Sequence, residues 1–147
     1  MSIGEFAKEI EKMEDRYLFK ANRADNGEWV TGYYTKSIVN GSVFGYIRES
    51  IFGTDIKIML NTLCQYTGLK DKNGNLIWEN DVVGFWDTYS TENGRAEMDC
   101  IGKVVWDDET ISFQVTNRLS AESYEVLDEC SVIGNIFDNP ELLESEE

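Results

Sequence analysis

The stretch that decides the fold is CQYTGLKDKNGNLIWENDVV, residues 64–83. Two apolar runs flank the polar segment at residues 70–75, and the pair Asn73-Gly74 within it tolerates the positive φ of a tight turn. An acidic corner, Glu79-Asn80-Asp81, then precedes another apolar run. The pattern predicts a strand, a polar turn, a short strand and a corner braced by Asp81, from which a further strand begins.

Short apolar runs on both sides of this stretch alternate with turn signals. Asn26-Gly27 and Asn40-Gly41 each separate two such runs, and Asp107-Asp108-Glu109 separates two more. A short helical turn is predicted to begin at Asn139-Pro140. Strands are predicted at residues 17–21, 28–35, 43–47, 55–60, 64–67, 76–78, 81–86, 101–106, 110–115 and 131–137. Strands this short and this closely spaced predict a mainly β fold with minor helix, either a small barrel or a sandwich.

The first residues predict a short amphipathic helix. Ser2 and Glu5 have the spacing of a capping box, in which side chains accept backbone N–H groups of the first turn. One face of this helix would carry a stripe of four apolar side chains: Ile3, Phe6, Ile10 and Met13. A helix this short is marginal alone, so the stripe must pack either on its own domain or on a second copy of the chain.

The net charge of −15 is concentrated in the C-terminal half. Residues 1–63 contain eight basic and nine acidic residues, a net of −1, whereas residues 64–147 contain five basic and nineteen acidic residues, a net of −14. This step predicts three segments: the helix at 1–15, an N-terminal β subdomain at 16–62 and a C-terminal β domain at 63–147. Direct binding of nucleic acid is not expected, because phosphate contacts need clustered Lys and Arg.

The composition excludes several classes of site. The chain has no histidine, which removes Ser-His-Asp and Cys-His catalysis and every zinc site with a His ligand. Its widely spaced cysteines, Cys64, Cys100 and Cys130, predict reduced, buried thiols rather than a disulfide. Phosphate-binding glycine motifs, a membrane-spanning apolar run and a signal-peptide pattern are all absent from the sequence. We therefore expect a cytoplasmic protein without cofactor, metal or membrane partner.

The acidic residues are the remaining candidates for a site. Asp71 begins a segment like a calcium-binding loop, but the sixth and twelfth positions, which need Gly and Glu, hold Leu76 and Val82. Paired-carboxylate catalysis at Asp107-Asp108 would need one carboxyl in an apolar pocket, which a hairpin tip does not provide. We predict no catalytic residue. Six carboxylates are candidates for an acidic interaction surface: Asp87, Glu92, Glu97, Asp99, Asp107 and Asp108.

Four segments of the chain resemble the YopX family of phage and prophage proteins. They are residues 64–83, GKVVW at 102–106, VIGNIFDNPELL at 132–143 and, upstream, DNGEWVTGY at 25–33. The resemblance implies a phage or prophage origin in bacteria and a C-terminal module of the small SH3-like barrel type, in a family without an established activity. The first helix precedes the usual family pattern. Asn80 stands where family members commonly have Gly, and Asn also tolerates a left-handed backbone.

Three hypotheses for function follow. The first is a non-enzymatic interaction module that forms a homo-oligomer, with the apolar stripe and the unequal charge of the two halves as its basis. The second is an acidic decoy that presents a DNA-like field to a basic host protein, which is one form of the expected host or phage protein partner. The third is a carboxylate-dependent hydrolase, although no pair of acids is singled out for that role.

Overall fold

The structure is a computed structural model that describes residues 2–5, 17–50, 52–120, 122–126 and 129–144. The chain divides into two compact units, Met1–Gly68 and Leu69–Glu147. Antiparallel strands dominate both units, which confirms the predicted mainly β fold. The helical segments that the structure describes include residues 3–5 and two 3-10 helices, Leu60–Thr62 and Pro140–Leu143, the second of which begins where Asn139-Pro140 predicted a helical turn.

The sheet of the first unit has the strand order β4-β3-β2-β1-β5. The predicted turns at Asn26-Gly27 and Asn40-Gly41 are confirmed, with φ of 75° at Gly27 and of 51° and 82° at Asn40 and Gly41. A small core on one face consists of Ala21, Val30, Ile47 and Ile58, against which Leu60 and Leu63 pack. The strands are β1 (Phe19–Asn22), β2 (Trp29–Val39), β3 (Ser42–Arg48), β4 (Ile56–Ile58) and β5 (Cys64–Lys70), and β5 continues past Gly68 into the second unit.

The second unit is built on a five-stranded antiparallel sheet with the order β10-β9-β8-β7-β11. Its inner face carries Val83, Val104 and Val115, and Ile77, Val126 and Cys130 complete the core there. The strands of this unit are β6 (Leu76–Trp78), which neighbours β5, then β7 (Asp81–Thr91), β8 (Gly94–Asp107), β9 (Ser112–Asn117), β10 (Ser123–Glu125) and β11 (Ser131–Asn135).

The expectation of a small barrel in this unit was wrong, and an SH3-like module is not confirmed. Closure of a barrel requires the two outermost strands to pair with each other. In the described residues β10 pairs with β9 and β11 pairs with β7, so the sheet is open. The sequence pattern also underestimated the lengths of β7 and β8. β7 extends to Thr91 and β8 begins at Gly94, and the two strands form one long hairpin.

The predicted amphipathic helix is not confirmed. Residues 3–5 are helical, and the backbone N–H of Glu5 donates to Ser2 Oγ at 3.1 Å, as a helix cap requires. Ile3 is 90% exposed. The other three members of the stripe, Phe6, Ile10 and Met13, lie outside the described residues.

The decisive stretch forms a turn that is held by one buried carboxylate. Asp71 is 5% exposed and accepts the backbone N–H groups of Asn73 and Asn75, the side-chain amide of Asn75 and the N–H of Val132 in β11. Burial disfavours the charged form, but the hydrogen bonds from Val132, Asn75 and Asn73 outweigh it and lower the pKa of Asp71 below its usual value. Asp71 therefore ties the turn to the edge strand β11.

The corner after β6 follows the prediction. Asn80 has a φ of 71°, the left-handed conformation that Asn tolerates, and the N–H of Trp78 donates to Asp81 Oδ2 at 2.8 Å. All three cysteines are buried and reduced, as expected. Among the residues described, no helix has the length and hydropathy that a membrane span requires.

Candidate functional site

A projecting hairpin is the first candidate surface. Strands β2 and β3 pair from Tyr33 with Arg48 to Val39 with Ser42. The pairing of β2 with β1 ends at Gly32, and the pairing of β3 with β4 begins at Gly45. In the described part of the chain, residues 35–44 therefore form a two-stranded arm whose outer edges face no other strand. We call residues 35–44 the arm.

The arm exposes aliphatic side chains. Ile38 and Val43 lie directly opposite each other, and they are 66% and 47% exposed. They stand on the same face as Val30 and Ile47 of the core, because side chains on one strand face alternate with a period of two. Val39, on the other face, is 53% exposed. The arm thus continues the apolar pattern of the core into solvent.

The charge of the arm differs from that of the rest of the chain. Residues 35–44 contain one charged side chain, Lys36, and no carboxylate, in a protein of net charge −15. Residues 69–147 carry a net of −14, since residues 64–68 are uncharged. The arm is therefore a region that a negatively charged surface does not repel.

The second candidate surface is a groove of about 290 Å³ on the outer face of the second sheet, which we call the Trp86 groove. Its floor is Gly84, opposite Ile101 of β8 and Ser131 of β11. A Cβ added to Gly84 would meet no atom closer than the carbonyl oxygen of Cys100, at 4.0 Å. The missing side chain leaves the floor open.

The walls of the groove are apolar and its rim is charged. Trp86, two residues after Gly84 in β7, is 66% exposed although β7 lies between two strands. Ile133 is the extra residue of a β-bulge between Val132 and Gly134, a device that redirects a side chain at a sheet edge. Asp99, opposite Trp86, and Lys72 also line the groove. An exposed Trp beside branched aliphatic side chains is typical of an interaction site.

The structure separates the six candidate carboxylates. Glu97 and Asp99 alternate along β8 on the outer face, beside Trp86. Asp87 lies on the inner face, and Glu92 is in the turn between β7 and β8. Asp107 and Asp108 lie at the other end of β8, where Asp107 accepts the N–H of Glu109 and Asp108 accepts the indole N–H of Trp106. Glu97 and Asp99 are thus the two of the six that lie beside Trp86.

Asp87 belongs to a polar cluster at the margin of the core. Tyr124 Oη lies 2.7 Å from Asp87 Oδ2 and 2.7 Å from Glu122 Oε2, so two carboxylates share one hydroxyl proton. These hydrogen bonds, to Glu122 first and then Asp87, raise the pKa of Tyr124 above its usual value. Burial and the negative charge of Asp87 raise the pKa of the Cys100 thiol.

This cluster stabilises the neutral forms of the Tyr124 hydroxyl and the Cys100 thiol. A catalytic thiol requires a lowered pKa and a positive neighbour. The pKa of Cys100 is raised instead, by burial and by the negative charges of Asp87, Asp99 and Glu122. Within the described ranges, His, Cys, Asp and Glu side chains form no group of three that could hold a metal ion. The cluster is best explained as a structural link between β7 and β10.

Sequence reasoning did not identify the arm or the Trp86 groove. The Asn40-Gly41 pair indicated a hairpin, but an aliphatic alternation has the same pattern whether the strands are covered or exposed. The groove combines residues of β7, β8 and β11, and no local motif signals that Gly84 leaves space between them.

The chain is similar to a known protein family and to a solved structure. The family model described as YopX protein matches residues 5–144 of the chain. Protein EF1440 from Enterococcus faecalis, for which there is a crystal structure, is 26% identical in sequence to this chain. The match covers 86% of this chain and 96% of that chain, with a TM-score of 0.49. Among curated proteins, nothing matches this chain.

Proposed function

This chain belongs to the YopX family, and on that premise we propose that it is a non-enzymatic protein-interaction module that associates with copies of itself. We place it in the cytoplasm of a bacterial host, encoded by a phage or prophage, as part of the same proposal. The observation that carries it is the arm, which has no carboxylate and exposes Ile38 and Val43, and whose two strand edges face no other strand among the described residues.

The energetics favour a partner for the arm. Full burial of one Ile or Val side chain contributes about 1.5–3 kcal/mol. With the exposed fractions of Ile38 and Val43, covering this one pair would contribute roughly 2–3 kcal/mol, before any hydrogen bonds along the open edges. Association itself costs several kcal/mol, so this pair alone does not hold two molecules together, and hydrogen bonds along the strand edges and further apolar contacts must supply the rest.

Sedimentation equilibrium across micromolar concentrations tests this function. The wild-type protein should give a mass above that of one chain, rising with concentration. Ile38→Glu places a carboxylate on the apolar face of the arm and should shift the mass towards one chain. Ile111→Glu is the matched control, because Ile111 is 75% exposed on a turn of the other unit and should leave association unchanged. A wild-type mass of one chain at every concentration would contradict the proposal.

The acidic decoy is a second candidate, supported by the net charge of −14 on residues 69–147 and by Glu97 and Asp99 on one exposed face. Tagged protein incubated with nuclease-treated bacterial lysate should then retain a basic nucleic-acid-handling protein at low salt and release it at high salt. Retention that is insensitive to salt would contradict this function. The hydrolase hypothesis stays a prediction without a supporting observation.

A further inference from the structure

We propose that the Trp86 groove of one molecule receives the arm of a second copy of this chain. This inference rests on the proposed self-association and goes beyond it by naming the two surfaces that meet. It makes the contact heterologous, with a different surface contributed by each molecule. An isologous alternative, in which two arms pair with each other, leaves the groove unused.

The dimensions of the two surfaces agree. The arm is two strands wide, and the Cβ atoms of a directly opposed pair such as Ile38 and Val43 are about 5 Å apart. The groove extends over β8, β7 and β11, which are two inter-strand spacings or about 10 Å across. A volume of about 290 Å³ is at the lower limit for a small-molecule site and suits a few aliphatic side chains.

The chemistry of the two surfaces is complementary. The branched side chains of the arm meet an indole face and two isoleucines, Ile101 and Ile133, and all of these lose water on contact. Lys36 stands on the same arm face as Ile38, because the two residues are two positions apart in β2. Glu97 and Asp99 stand on the same face of β8 as the groove. Lys36 can therefore reach a carboxylate while Ile38 contacts Trp86.

The long-range charge favours the same orientation. The groove belongs to the unit with a net charge of −14, and two such units repel each other. The arm contains a single Lys and no acid, so contact through the arm adds less repulsion than contact through the unit of net charge −14 would. Lys72, which also lines the groove, is a local exception.

Two variants that each disable one surface test the inference. Ile38→Glu disables the arm and leaves the groove intact. Gly84→Lys fills the groove from its floor, where an added Cβ has space, and places a cation against Lys36. Circular dichroism and thermal denaturation should show that both variants are folded. Trp86→Ala is a second groove variant, which removes an exposed wall and leaves the core unchanged.

Sedimentation of the variants, alone and mixed in equal amounts, gives distinct results. We expect each variant alone to have the mass of one chain, and the mixture to contain a two-chain species, since one partner offers an intact groove and the other an intact arm. Self-association of Gly84→Lys at the wild-type level would overturn the inference and leave the proposed function standing. A mixture that stays at one chain, with wild type associating, would also overturn it. If the wild type itself has the mass of one chain, the proposed function fails first.

Discussion

Replacement of Asp71 by Asn tests the role of the buried carboxylate at the centre of the decisive stretch. Asn has the same shape, but it replaces one oxygen by an NH2 group and removes the negative charge. If the remaining oxygen keeps the backbone N–H groups of Asn73 and Asn75, the new NH2 group faces the N–H of Val132, 2.9 Å from Oδ2 in the wild type. Two donors then oppose each other in a buried position.

The expected loss follows from these contacts. A buried N–H that loses its acceptor costs about 1–3 kcal/mol, and a hydrogen bond to a charged acceptor is worth about 1.5–3 kcal/mol against about 1 kcal/mol for a neutral one. Loss of the hydrogen bond from Val132 and weakening of the two hydrogen bonds in the turn together lower the free energy of unfolding by about 3 kcal/mol. For a unit of this size that loss corresponds to a decrease in Tm of roughly 15 °C.

Guanidinium denaturation followed by tryptophan fluorescence measures the change. Three of the four tryptophans, Trp78, Trp86 and Trp106, lie in the unit that contains Asp71, so the signal mainly reports that unit. Asp108→Asn is the control, because Asp108 is exposed and accepts one hydrogen bond from Trp106. We expect the control to change stability by less than about 0.5 kcal/mol.

Hydrogen exchange and pH give independent readouts for Asp71. The amide of Val132 should exchange faster in Asp71→Asn, because its acceptor in the wild type is the carboxylate. The folded-state pKa of Asp71 is lowered, so its contribution is present above the unfolded pKa of about 4 and is lost as the pH falls through the folded pKa. The variant should therefore approach the wild type in strong acid. Equal denaturation midpoints for Asp71→Asn and Asp108→Asn at neutral pH would refute the reasoning.

Two further predictions concern the cluster at Tyr124 and a crowded glycine. Tyr124→Phe should lower the free energy of unfolding by about 1–2 kcal/mol at neutral pH. Because the folded-state pKa of Tyr124 is raised, this difference from wild type should persist up to about pH 10 and shrink above it. Urea denaturation at several pH values measures it. A cost that is unchanged in strong alkali would contradict this. Gly32→Ala should destabilise the first unit by about 3 kcal/mol or more, because the added Cβ would overlap the carbonyl oxygen of Arg48. Gly84→Ala, also in a strand, has open space and should show no loss of stability in the same thermal denaturation; equal losses in both would count against the explanation.

The turns of this fold could be predicted from the sequence because their cause is local. Asn40-Gly41 adopts positive φ at both residues, and Asn80 adopts the left-handed conformation at the corner, since these residue types have the lowest cost there. The buried thiols followed from composition in the same way. Each of these predictions depends on a residue and its immediate neighbours.

The parts that could not be predicted depend on contacts between distant segments. Tyr124 meets Asp87 across 37 positions, and Gly84 acquires its neighbours from β8 and β11. The strand spacing predicted a barrel. Closure depends on which strands pair at the sheet edges, and here β11 pairs with β7. The apolar pair Ile38 and Val43 has the pattern of core residues, but in the described part of the chain the pairings of β1 and β4 end before they reach this pair.

The open edges of the arm also determine how the protein behaves as a colloid. Most proteins protect a strand edge with proline, several lysines, a bulge or a cover, whereas this arm has one lysine, and the single proline of the chain is Pro140. Protection comes instead from the rest of the molecule, because the surplus of anionic groups on every molecule repels other copies. Near the isoelectric point of about 4.3 that repulsion vanishes while the hydrogen-bonding edge stays intact. Acidification should then convert limited association into open-ended stacking of strands. At neutral pH the carboxylates act as a dispersant, because their mutual repulsion between molecules prevents this stacking at the exposed strand edges.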